Sequence, residues 1–406
     1  MAAPKLRFKE FDGDWIKSKL GSEAQFFQGE QVSLDDQCSE YAHGLIKFLR
    51  IENFTQKSKD FRYIRYTGSQ EKILGEQDIA IVRYGATAGF ICSGETGVIA
   101  NNLFKVSVDN KKINQKYLEL VLKTEKTFNY FQAEMSGGAM PALNFKIVGN
   151  LDITYSSIQE QTKIASFLSA VDEKINQLTQ KHELLSQYKQ GMMQKLFSQE
   201  IRFKADDGRE FGEWRKAKVG NITETIFGYP FDSKEMVEDN NGIPLMRGIN
   251  IGECHIRHSF ELDRFFLKDT SKLEKYFVRV NDIVLSMDGS KVGRNSAFVT
   301  VKDAGSLLVQ RVCILREKEN TNIQYVYQWI ISKEFHRYVD QVKTSSGIPH
   351  ISGKQIQDYE ISYPCLEEQT KIANFLFAID QKIEVVTQQI EQAKQWKKGL
   401  LQQMFV

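Results

Sequence analysis

Proline is scarce in this sequence and never follows itself, which limits the chemistry that the chain can carry out. A DNA methyltransferase that works alone holds the amino group of its target base with an Asn/Asp-Pro-Pro-aromatic motif, beside a glycine-containing cofactor loop. None of the six prolines is followed by another proline. The sequence therefore excludes a self-sufficient methyltransferase of this kind.

Cysteine is also rare, and long apolar runs are missing. The five cysteines, at positions 38, 92, 254, 313 and 365, form no C-x-x-C pair. The sequence has neither a secretory apolar segment nor the run of about 18 apolar residues that a membrane helix needs. We therefore expect a soluble, cytoplasmic chain in a reducing environment, with no membrane association.

An excess of charge of either sign is lacking too. Lysine and arginine number 54 and aspartate and glutamate 52, which gives a net charge of +2. Because this balance does not by itself call for nucleic acid, any DNA-binding surface must be local. The hydrophobic content of 41% and the 27 phenylalanines exclude a disordered chain, and 406 residues suit several folded units.

Complete catalytic motifs are absent as well. A Walker A loop needs G-x-x-x-x-G-K-[ST], and the nearest text, residues 289–294, has the wrong spacing. Nuclease-like Asp/Glu-x-Lys triplets occur at 172–174 and 380–382, but no Pro-Asp pair accompanies them, and a solvated helix face explains them better. No nucleophile-elbow motif places a serine for catalysis. We predict no catalytic site in this chain.

One group of residues has the look of half a metal site. Cys254, His255 and His258 lie close together, but no second ligand pair follows and the first half of the chain has nothing equivalent. We interpret them as ordinary strand or loop residues. We expect this chain to bind neither a metal nor a cofactor.

What the sequence does have is a long internal repeat. Residues 160–197 begin with Glu-Gln-Thr-Lys-Ile-Ala and return as residues 368–405, with 20 identities in 38 positions. The stretch 7–21, which begins Arg-Phe-Lys and carries a Phe, a Gly and a Trp, returns as 202–220. The chain is therefore a tandem duplication that includes its globular parts.

Behind each Glu-Gln-Thr-Lys-Ile-Ala motif, apolar residues follow an unbroken 4-3 spacing. A 3.5-residue period sustained over this length predicts two coiled-coil helices. Ser157 and Glu160 fit a capping box at the start of the first helix. The seam positions are Ile164, Leu168, Val171, Ile175, Leu178, His182, Leu185, Lys189, Met192 and Leu196, then Ile372, Leu376, Ile379, Ile383, Val386, Ile390, Ala393, Lys397, Leu400 and Met404.

A lysine interrupts each seam at the same heptad position, Lys189 in the first helix and Lys397 in the second. A buried charge is costly unless it finds a partner, so each lysine either helps to set the pairing of the helices or lies on a frayed, solvated end. Gly191 and Gly399 follow two residues later and cost each helix about 1 kcal/mol against alanine. We therefore favour the frayed end.

The globular part of each copy alternates apolar strands with glycine-containing loops and ends in a strand that leads into the long helix. The predicted strands are 78–82, 101–106 and 151–155, then 282–286, 309–314 and 359–363, with helical patterns at 117–131 and 325–339. The predicted class is α+β, with two tandem mixed α/β domains joined by two long helices that form an antiparallel coiled coil with pseudo-two-fold symmetry. The predicted boundaries are 1–157, 158–198, 199–364 and 365–406.

Three features of each globular part suit nucleic acid: an arginine at a strand end, an aromatic and basic stretch, and glycine or serine loops. Arginine pairs with guanine or phosphate, and glycines let backbone N–H groups approach phosphates. The alternative interpretations stay open, since such glycines also form tight turns and such aromatics also pack in cores. The candidate DNA-binding residues are Arg50, Lys57, Lys59, Arg62, Arg65, Arg83, Thr87 and Ser136, then Arg247, Arg257, Ser290, Lys291, Arg294, Arg311, Ser345, Ser346 and His350.

These residues together resemble the specificity subunit of a type I restriction–modification system. The resemblance covers nearly the whole chain: a domain that opens with Phe, Gly and Trp, then Glu-Gln-Thr-Lys-Ile-Ala at the head of a long helix, then both again. It implies a non-catalytic subunit with two target-recognition domains, each contacting half of a bipartite double-stranded DNA site. Its length would make the helix pair a ruler between the two half-sites.

The resemblance also implies partners. Two methyltransferase subunits would supply S-adenosylmethionine chemistry, and two motor-nuclease subunits would use ATP and Mg²⁺. Outward helix residues would hold the methyltransferase subunits, or would simply be solvated. These residues are Lys163, Asp172, Lys174, Thr179 and Gln180, then Lys371, Asp380, Lys382, Thr387 and Gln388.

Two other functions compete with DNA recognition. One is a restriction–methylation enzyme in a single chain, which the missing motifs disfavour. The other is a scaffold that joins two protein-binding domains and has no role in reading DNA. A complex that methylates DNA without regard to sequence would favour the scaffold.

Overall fold

The computed structural model describes residues 4–135, 141–344 and 347–405. The chain folds as two compact units, unit 1 from residues 1–179 with 388–406, and unit 2 from residues 180–387. Each unit thus contains one globular repeat together with parts of both long helices. Within the described residues, no helix combines the length and apolar character that crossing a membrane requires.

The described residues of unit 1 form ten strands, five α-helices and the greater part of a sixth. The strands are β1 (Ile16–Lys19), β2 (Ala24–Gln28), β3 (Ile46–Leu49), β4 (Arg62–Ile64), β5 (Ile73–Leu74), β6 (Ile79–Val82), β7 (Ile91–Cys92), β8 (Gly97–Ile99), β9 (Leu103–Val108) and β10 (Asp152–Tyr155). The helices are α1 (Leu20–Glu23), α2 (Ile51–Thr55), α3 (Gln115–Leu122), α4 (Glu125–Met135), α5 (Phe145–Gly149) and the long α6 (Ile158–Phe197), which runs on into unit 2.

Unit 2 repeats this order, with nine strands among its described residues. They are β11 (Arg215–Lys218), β12 (Thr223–Phe227), β13 (Ile243–Met246), β14 (Phe265–Phe266), β15 (Ile283–Ser286), β16 (Ser296–Phe298), β17 (Leu307–Leu308), β18 (Val312–Glu317) and β19 (Glu360–Tyr363). The helices are α7 (Val219–Ile222), α8 (Ile323–Ile330), α9 (Lys333–Val342), α10 (Gly353–Asp358) and α11 (Leu366–Met404), whose last turns belong to unit 1.

The main sheet has the same strand order in both units. It runs β2-β9-β6-β7 in unit 1 and β12-β18-β15-β16 in unit 2, antiparallel throughout. A second small sheet pairs β3 with β8 and β13 with β17 in parallel, and a two-stranded sheet joins β1 to β10 and β11 to β19. The predicted mixed α/β class is confirmed, and the repeat in the sequence is a repeat of topology.

Each predicted helical pattern of the globular parts is in fact two helices. The break falls at Thr124 in unit 1 and at Ser332 in unit 2. The Ser332 hydroxyl accepts a hydrogen bond from the Phe335 N–H at 3.2 Å and so starts α9. Because serine and threonine satisfy the free N–H groups of a new first turn, the polar residue ends one helix and begins the next.

The core of each unit lies between the main sheet, the globular helices and the long helices. In unit 1, Ile164 and Leu168 from the start of α6 are buried with Leu400 and Met404 from the end of α11. In unit 2 the partners exchange, and Leu196 from the end of α6 is buried in the same cluster as Ile372 from the start of α11. Within each unit, the beginning of one long helix therefore packs with the end of the other.

The preference for frayed helix ends at the seam lysines is wrong. Lys189 is 8% exposed, and its ammonium lies 2.6 Å from the Asp380 carboxylate in unit 2. In unit 1, Lys397 lies 2.5 Å from the Asp172 carboxylate. Both lysines sit inside continuous helix. A partner on the other long helix compensates the charge that the seam would otherwise bury alone.

Glu160, Gln161 and Thr162, with Glu368, Gln369 and Thr370, form what we call the Glu-Gln-Thr latch. In unit 1, Arg7 donates from Nε and Nη2 to the two Glu160 carboxylate oxygens at 2.7 and 2.8 Å. The Gln161 side-chain oxygen accepts the Asn114 N–H at 2.8 Å. The latch therefore ties the start of α6 to the N-terminal segment and to the loop before α3.

Unit 2 builds the same latch with one more bond. Arg202 donates to both Glu368 oxygens at 3.0 and 2.7 Å, and the Trp214 indole N–H donates to Glu368 Oε2 at 2.8 Å. Gln369 again accepts a backbone N–H, that of Asn322, at 2.9 Å. Glu368 and Gln369 are fully buried, so the motif that marks the repeat is a structural anchor.

The capping-box prediction holds only in part. The Ser157 hydroxyl accepts the Glu160 N–H at 3.4 Å, as a capping residue does. The Glu160 carboxylate binds Arg7 instead of returning to the backbone. A distant arginine thus takes the place of the local half of the box.

Candidate nucleic-acid interface

The strand-end arginines each begin a short helical turn and hold the loop that follows. The Asn53 side-chain oxygen accepts the Arg50 N–H at 2.8 Å, and its amide donates to the Ser58 carbonyl at 3.1 Å. Arg50 Nη2 donates to the Asp60 carbonyl at 3.0 Å, and Nη1 lies 2.9 Å from the Glu52 carboxylate. Part of the guanidinium predicted to contact guanine or phosphate is thus occupied by the chain itself.

Arg247 repeats this arrangement in unit 2. Its Nη2 donates to the Leu262 carbonyl, and Asn250 donates to the Arg257 carbonyl at 3.2 Å. Burial lowers the pKa of Arg247, and the neighbouring Arg264 acts in the same direction, although a guanidinium stays charged at neutral pH. The Nε atoms of Arg50 and Arg247 are both buried without a hydrogen-bond partner. Both arginines therefore hold their own loop in place, and the Nε donor of each has no partner among the described residues.

In unit 1 the aromatic and basic stretch is partly neutralised. Lys59 lies 3.1 Å from Glu95, and Arg62 lies 3.9 Å from Asp60. Lys57, which has a φ of +53°, and Arg65 are exposed. Arg65 and Lys57 are consequently the cations of this stretch most available to a ligand.

The stretch in unit 2 includes the residues that had the look of half a metal site. His258 Nε2 lies 3.1 Å from the buried Asp303 carboxylate and its Nδ1 3.4 Å from Asp263. In the part of the chain that is described, no group of three His, Cys, Asp or Glu side chains is arranged to hold a metal. Arg257 is exposed and donates to the Ile251 carbonyl at 3.0 Å. The polar side chains of this stretch therefore bind acidic side chains and backbone carbonyls of the same unit.

The glycine loops and the proline loops, found separately in the sequence, lie together in the structure. The Gly85 N–H donates to the Pro141 carbonyl at 3.1 Å, and the Gly289 N–H donates to the Pro349 carbonyl at 3.0 Å. These two N–H groups are therefore used within the chain. Gly85, Gly89, Gly289 and Gly293 have φ angles of +85°, +88°, +94° and +77°, which supports the tight-turn interpretation of these glycines.

The polar side chains of these loops divide into paired and exposed groups. Arg294 donates to both Asp340 carboxylate oxygens at 3.2 and 2.6 Å, and Arg294 with Lys343 holds the pKa of Asp340 well below its usual range. Lys291 lies 2.6 Å from Glu253. The Arg294 guanidinium and the Lys291 ammonium are thus both held in ion pairs within the chain.

The other candidate DNA-binding residues of these loops are Thr87, Ser290, His350 and three serines. Thr87 and Ser290 are exposed, and the His350 ring lies 3.0 Å from the Thr344 hydroxyl. Ser136, Ser345 and Ser346 lie outside the described residues. Thr87 and Ser290 lie one position apart in the two aligned glycine loops, where Thr87 matches Lys291 and Ala86 matches Ser290. Each loop therefore has one exposed hydroxyl, but at a different position.

One pair of positions carries an arginine in both units but on opposite strands. In unit 1 the Arg83 N–H donates to the Asn102 carbonyl at 2.9 Å; in unit 2 the Met287 N–H donates to the Arg311 carbonyl at 2.8 Å. Arg83 is half-buried over the Tyr84 ring, with Nε and Nη1 lacking partners, whereas Arg311 is exposed with a φ of +73°. The units therefore present this charge differently.

In each unit, backbone bonds connect the strand-end arginine with the glycine loop. The Ala100 N–H donates to the Leu49 carbonyl just before Arg50, and the next residues reach Arg83 through Asn102. In unit 2 the Val309 N–H donates to the Met246 carbonyl just before Arg247, and the Met287 N–H at the start of the glycine loop donates to the Arg311 carbonyl. The structure thus brings the strand end and the glycine loop to one end of the two sheets.

Exposed aromatics in the same region were not predicted as site residues. Phe260, which lies between Arg257 and Arg264 in the sequence, is 83% exposed, and Tyr41 is 66% exposed with its ring 5.6 Å from that of Tyr63. An isolated aromatic between polar neighbours is the signal that marks both in the sequence. Aromatic faces of this kind can stack on bases or fill a groove.

The helix residues predicted to bind partners include both paired and exposed side chains. Asp172 and Asp380 are taken by the seam lysines, and Lys163 and Lys371 lie 2.5 Å from Glu10 and Asp206. The hydroxyls of Thr179 and Thr387 donate to carbonyls one turn earlier in their own helices. Six of the candidates are exposed: Lys163, Lys174, Thr179, Gln180, Lys382 and Gln388.

Comparison with known families adds a match over both repeats. A family model described as the type I restriction modification DNA specificity domain matches residues 13–186 and 212–395. The MjaVIII type I restriction enzyme specificity subunit of Methanocaldococcus jannaschii is 26% identical over 408 residues, which cover 97% of this chain and 94% of that protein. The EcoAI specificity subunit of Escherichia coli is 30% identical over a shorter span, 36% of this chain and 24% of that protein.

Solved structures share the fold. A type I restriction–modification S subunit from M. genitalium aligns with a TM-score of 0.66 at 17% identity, over 100% of this chain and 99% of that one. A chain from a study of complex assembly and conformational transition of the type I R-M system aligns with a TM-score of 0.54 at 16% identity, over 95% and 96% of the two chains. At these identities the likeness concerns the fold.

Proposed function

Because the chain belongs to the type I restriction modification DNA specificity domain family, we propose that it is the DNA-recognition subunit of a type I restriction–modification complex. In this proposal each unit reads one half of a bipartite target. The observation that carries it is the double match, since one specificity domain covers residues 13–186 and a second covers 212–395.

The chemistry of the proposed interface supports direct contact with DNA in both units. Each unit gathers a strand-end arginine, an exposed loop hydroxyl and further cations at one end of its sheets. Lysine and arginine neutralise phosphates, while arginine donors and exposed aromatics can reach base edges and faces. The different placement of Arg83 and Arg311 supports different half-sites for the two units.

Catalysis belongs to partner subunits in this proposal. Methyltransferase subunits bring S-adenosylmethionine, and motor-nuclease subunits bring ATP and Mg²⁺, two copies of each. The candidates for holding the methyltransferase subunits are the outward helix residues, of which six are exposed: Lys163, Lys174, Thr179, Gln180, Lys382 and Gln388. The complex acts on double-stranded DNA in the cytoplasm.

The two long helices serve as the spacer. We propose that they pair antiparallel as a coiled coil and that the repeats are related by a pseudo-two-fold axis. The exchange of helix partners between the unit cores and the two lysine–aspartate pairs support this pairing. Each helix, of 40 and 39 residues, has a length of about 60 Å at about 1.5 Å per residue.

A binding experiment tests the proposed function. The chain is purified with its methyltransferase partner, and binding to duplexes with and without the methylated target is measured as salt is varied. We expect preference for one bipartite sequence, with affinity that falls steeply as salt rises. Methyl transfer by the chain alone, or methylation by the complex without regard to sequence, would contradict the proposal.

The spacer has its own test. Removal of one heptad from α6 and of its counterpart from α11 is expected to change the gap between the half-sites and to leave both half-sites unchanged. Variants in which one heptad is replaced by another of equal length serve as controls. An unchanged gap after the deletion would reject the spacer role.

A further inference from the structure

Unit 1 has a groove between the turn that joins α3 to α4 and the last turns of α11. Its volume is about 710 Å³. The apolar part comes from Phe128, which is 57% exposed, and from Leu401 and Phe405, which pack against the unit 1 core on their other side. The groove is therefore an apolar surface open to solvent and backed by rigid structure.

The rim of this groove carries more lysines than carboxylates. Five lysines and one glutamate line it: Lys123, Lys126, Lys394, Lys397, Lys398 and Glu125. Lys123 and Lys397 pair at 2.5 Å with Glu119 and Asp172, and Lys394 pairs at 3.1 Å with Glu391. All three carboxylates lie outside the lining. Lys398 is exposed, and no ion pair forms on it among the described residues. The groove thus combines an apolar floor with positive charge at its edge.

The repeat gives unit 2 a corresponding groove of different character. It lies between the turn joining α8 to α9 and the end of α6. The positions of Lys394 and Lys398 are held there by Ser186 and Gln190, and the position of Phe128 by His336. Lys189, which corresponds to Lys397, is buried and forms an ion pair with Asp380. The unit 2 lining has exposed cations of its own, Lys333 and Arg337, but no aromatic side chain. Of these two grooves, the one in unit 1 therefore combines an exposed aromatic with lysines.

We propose that the unit 1 groove docks an acidic amphipathic segment of a partner protein, one segment per chain. Apolar side chains of such a segment would cover the floor, and its carboxylates would face the lysines, which is how a charged amphipathic helix lies in a groove. DNA matches this surface less well, because phosphates would use the lysines and leave the apolar floor uncovered. The proposal concerns a protein contact and is independent of DNA recognition.

The test is binding of a fluorescein-labelled peptide to the full chain, followed by fluorescence anisotropy. The peptide has about four helical turns, with leucine and phenylalanine on one face and glutamate elsewhere. A scrambled peptide of the same composition is the ligand control. The variant Lys398→Glu with Phe128→Ala alters the groove at two exposed side chains, and Gln190→Glu with His336→Ala makes the matching change in unit 2.

We expect one peptide per chain, a loss of affinity of about ten-fold or more in the unit 1 variant, and a change within about two-fold in the unit 2 variant. Equal binding of the scrambled peptide, two peptides per chain, or an unchanged affinity in the unit 1 variant would overturn the proposal. A DNA duplex that displaces the peptide and loses affinity through the same unit 1 variant would assign the groove to nucleic acid instead. Circular dichroism of each variant checks that the fold is intact.

Discussion

The two units keep the same anchor and differ at the surface that would meet a ligand. Both fix the start of a long helix through a buried glutamate and glutamine, with an arginine 166 or 153 residues away. Unit 2 adds the Trp214 bond to Glu368, whereas the indole N–H of the corresponding Trp15 is buried without a partner. The frame has been retained through the duplication, and the strand ends and loops have diverged.

The divergence is clearest where Arg83 faces Asn102 in unit 1 and Met287 faces Arg311 in unit 2. The backbone bond is the same, but the arginine has changed strands. A DNA-binding domain that keeps its backbone fold but carries its charged side chains at other positions can recognise a different DNA sequence. The difference in anchor strength and the difference in side chains can be separated by substitution.

The largest effect is expected at the latch glutamates. Glu368→Ala leaves Arg202 and Trp214 without their acceptor, and breaking a buried pair in this way costs about 3–5 kcal/mol. Glu160→Ala removes the Arg7 pair only, so its cost should be smaller. Hydrogen exchange at the starts of α6 and α11 measures both, and equal effects would show that Trp214 adds nothing to the anchor.

The second largest loss of stability is expected when the seam lysines Lys189 and Lys397 are substituted. Lys189→Met leaves the half-buried Asp380 without its cation, at an expected cost of about 1–3 kcal/mol. Lys397→Met should cost less, because Lys397 and Asp172 are more exposed than Lys189. Urea unfolding of the full chain compares the two variants, and a larger loss at Lys397 would contradict this order.

A pH effect is expected at Glu119 of unit 1. Burial opposes ionisation of Glu119, but hydrogen bonds from Lys116, Lys123 and Ser93 outweigh it and lower its pKa to about 2. Because the pKa is lower in the folded state, this stabilisation is present above the usual value of 4.5 and is lost as the pH falls toward 2. Unit 2 has Tyr327 at the matching position.

We therefore expect Glu119→Gln to cost about 1–2 kcal/mol at pH 6 and less at pH 3. Urea unfolding at the two pH values measures the difference, and Lys116→Gln, which removes one of the donors, is the matched variant. A cost of Glu119→Gln that does not fall between pH 6 and pH 3 would contradict the pKa assignment.

Much of the fold follows from the sequence because periodicity and repetition are local signals. The strands before the glycine loops and both long helices lie close to their predicted positions. The pairing of Lys189 with Asp380 could not be predicted, since it depends on the register between helices that are far apart in the chain. Likewise, Arg50 was expected to contact a ligand, but the loop that it holds folds back onto its guanidinium.

Sequencing of the methylated sites of a host that carries this chain and its methyltransferase partner tests the central claim most directly. Residues 199–364 are replaced by another recognition domain, with Arg202 and Trp214 retained so that the Glu368 anchor still forms. If each unit reads its own half-site, one half of the methylated sequence changes and the other half is kept. A change in both halves, or in neither, would contradict the account.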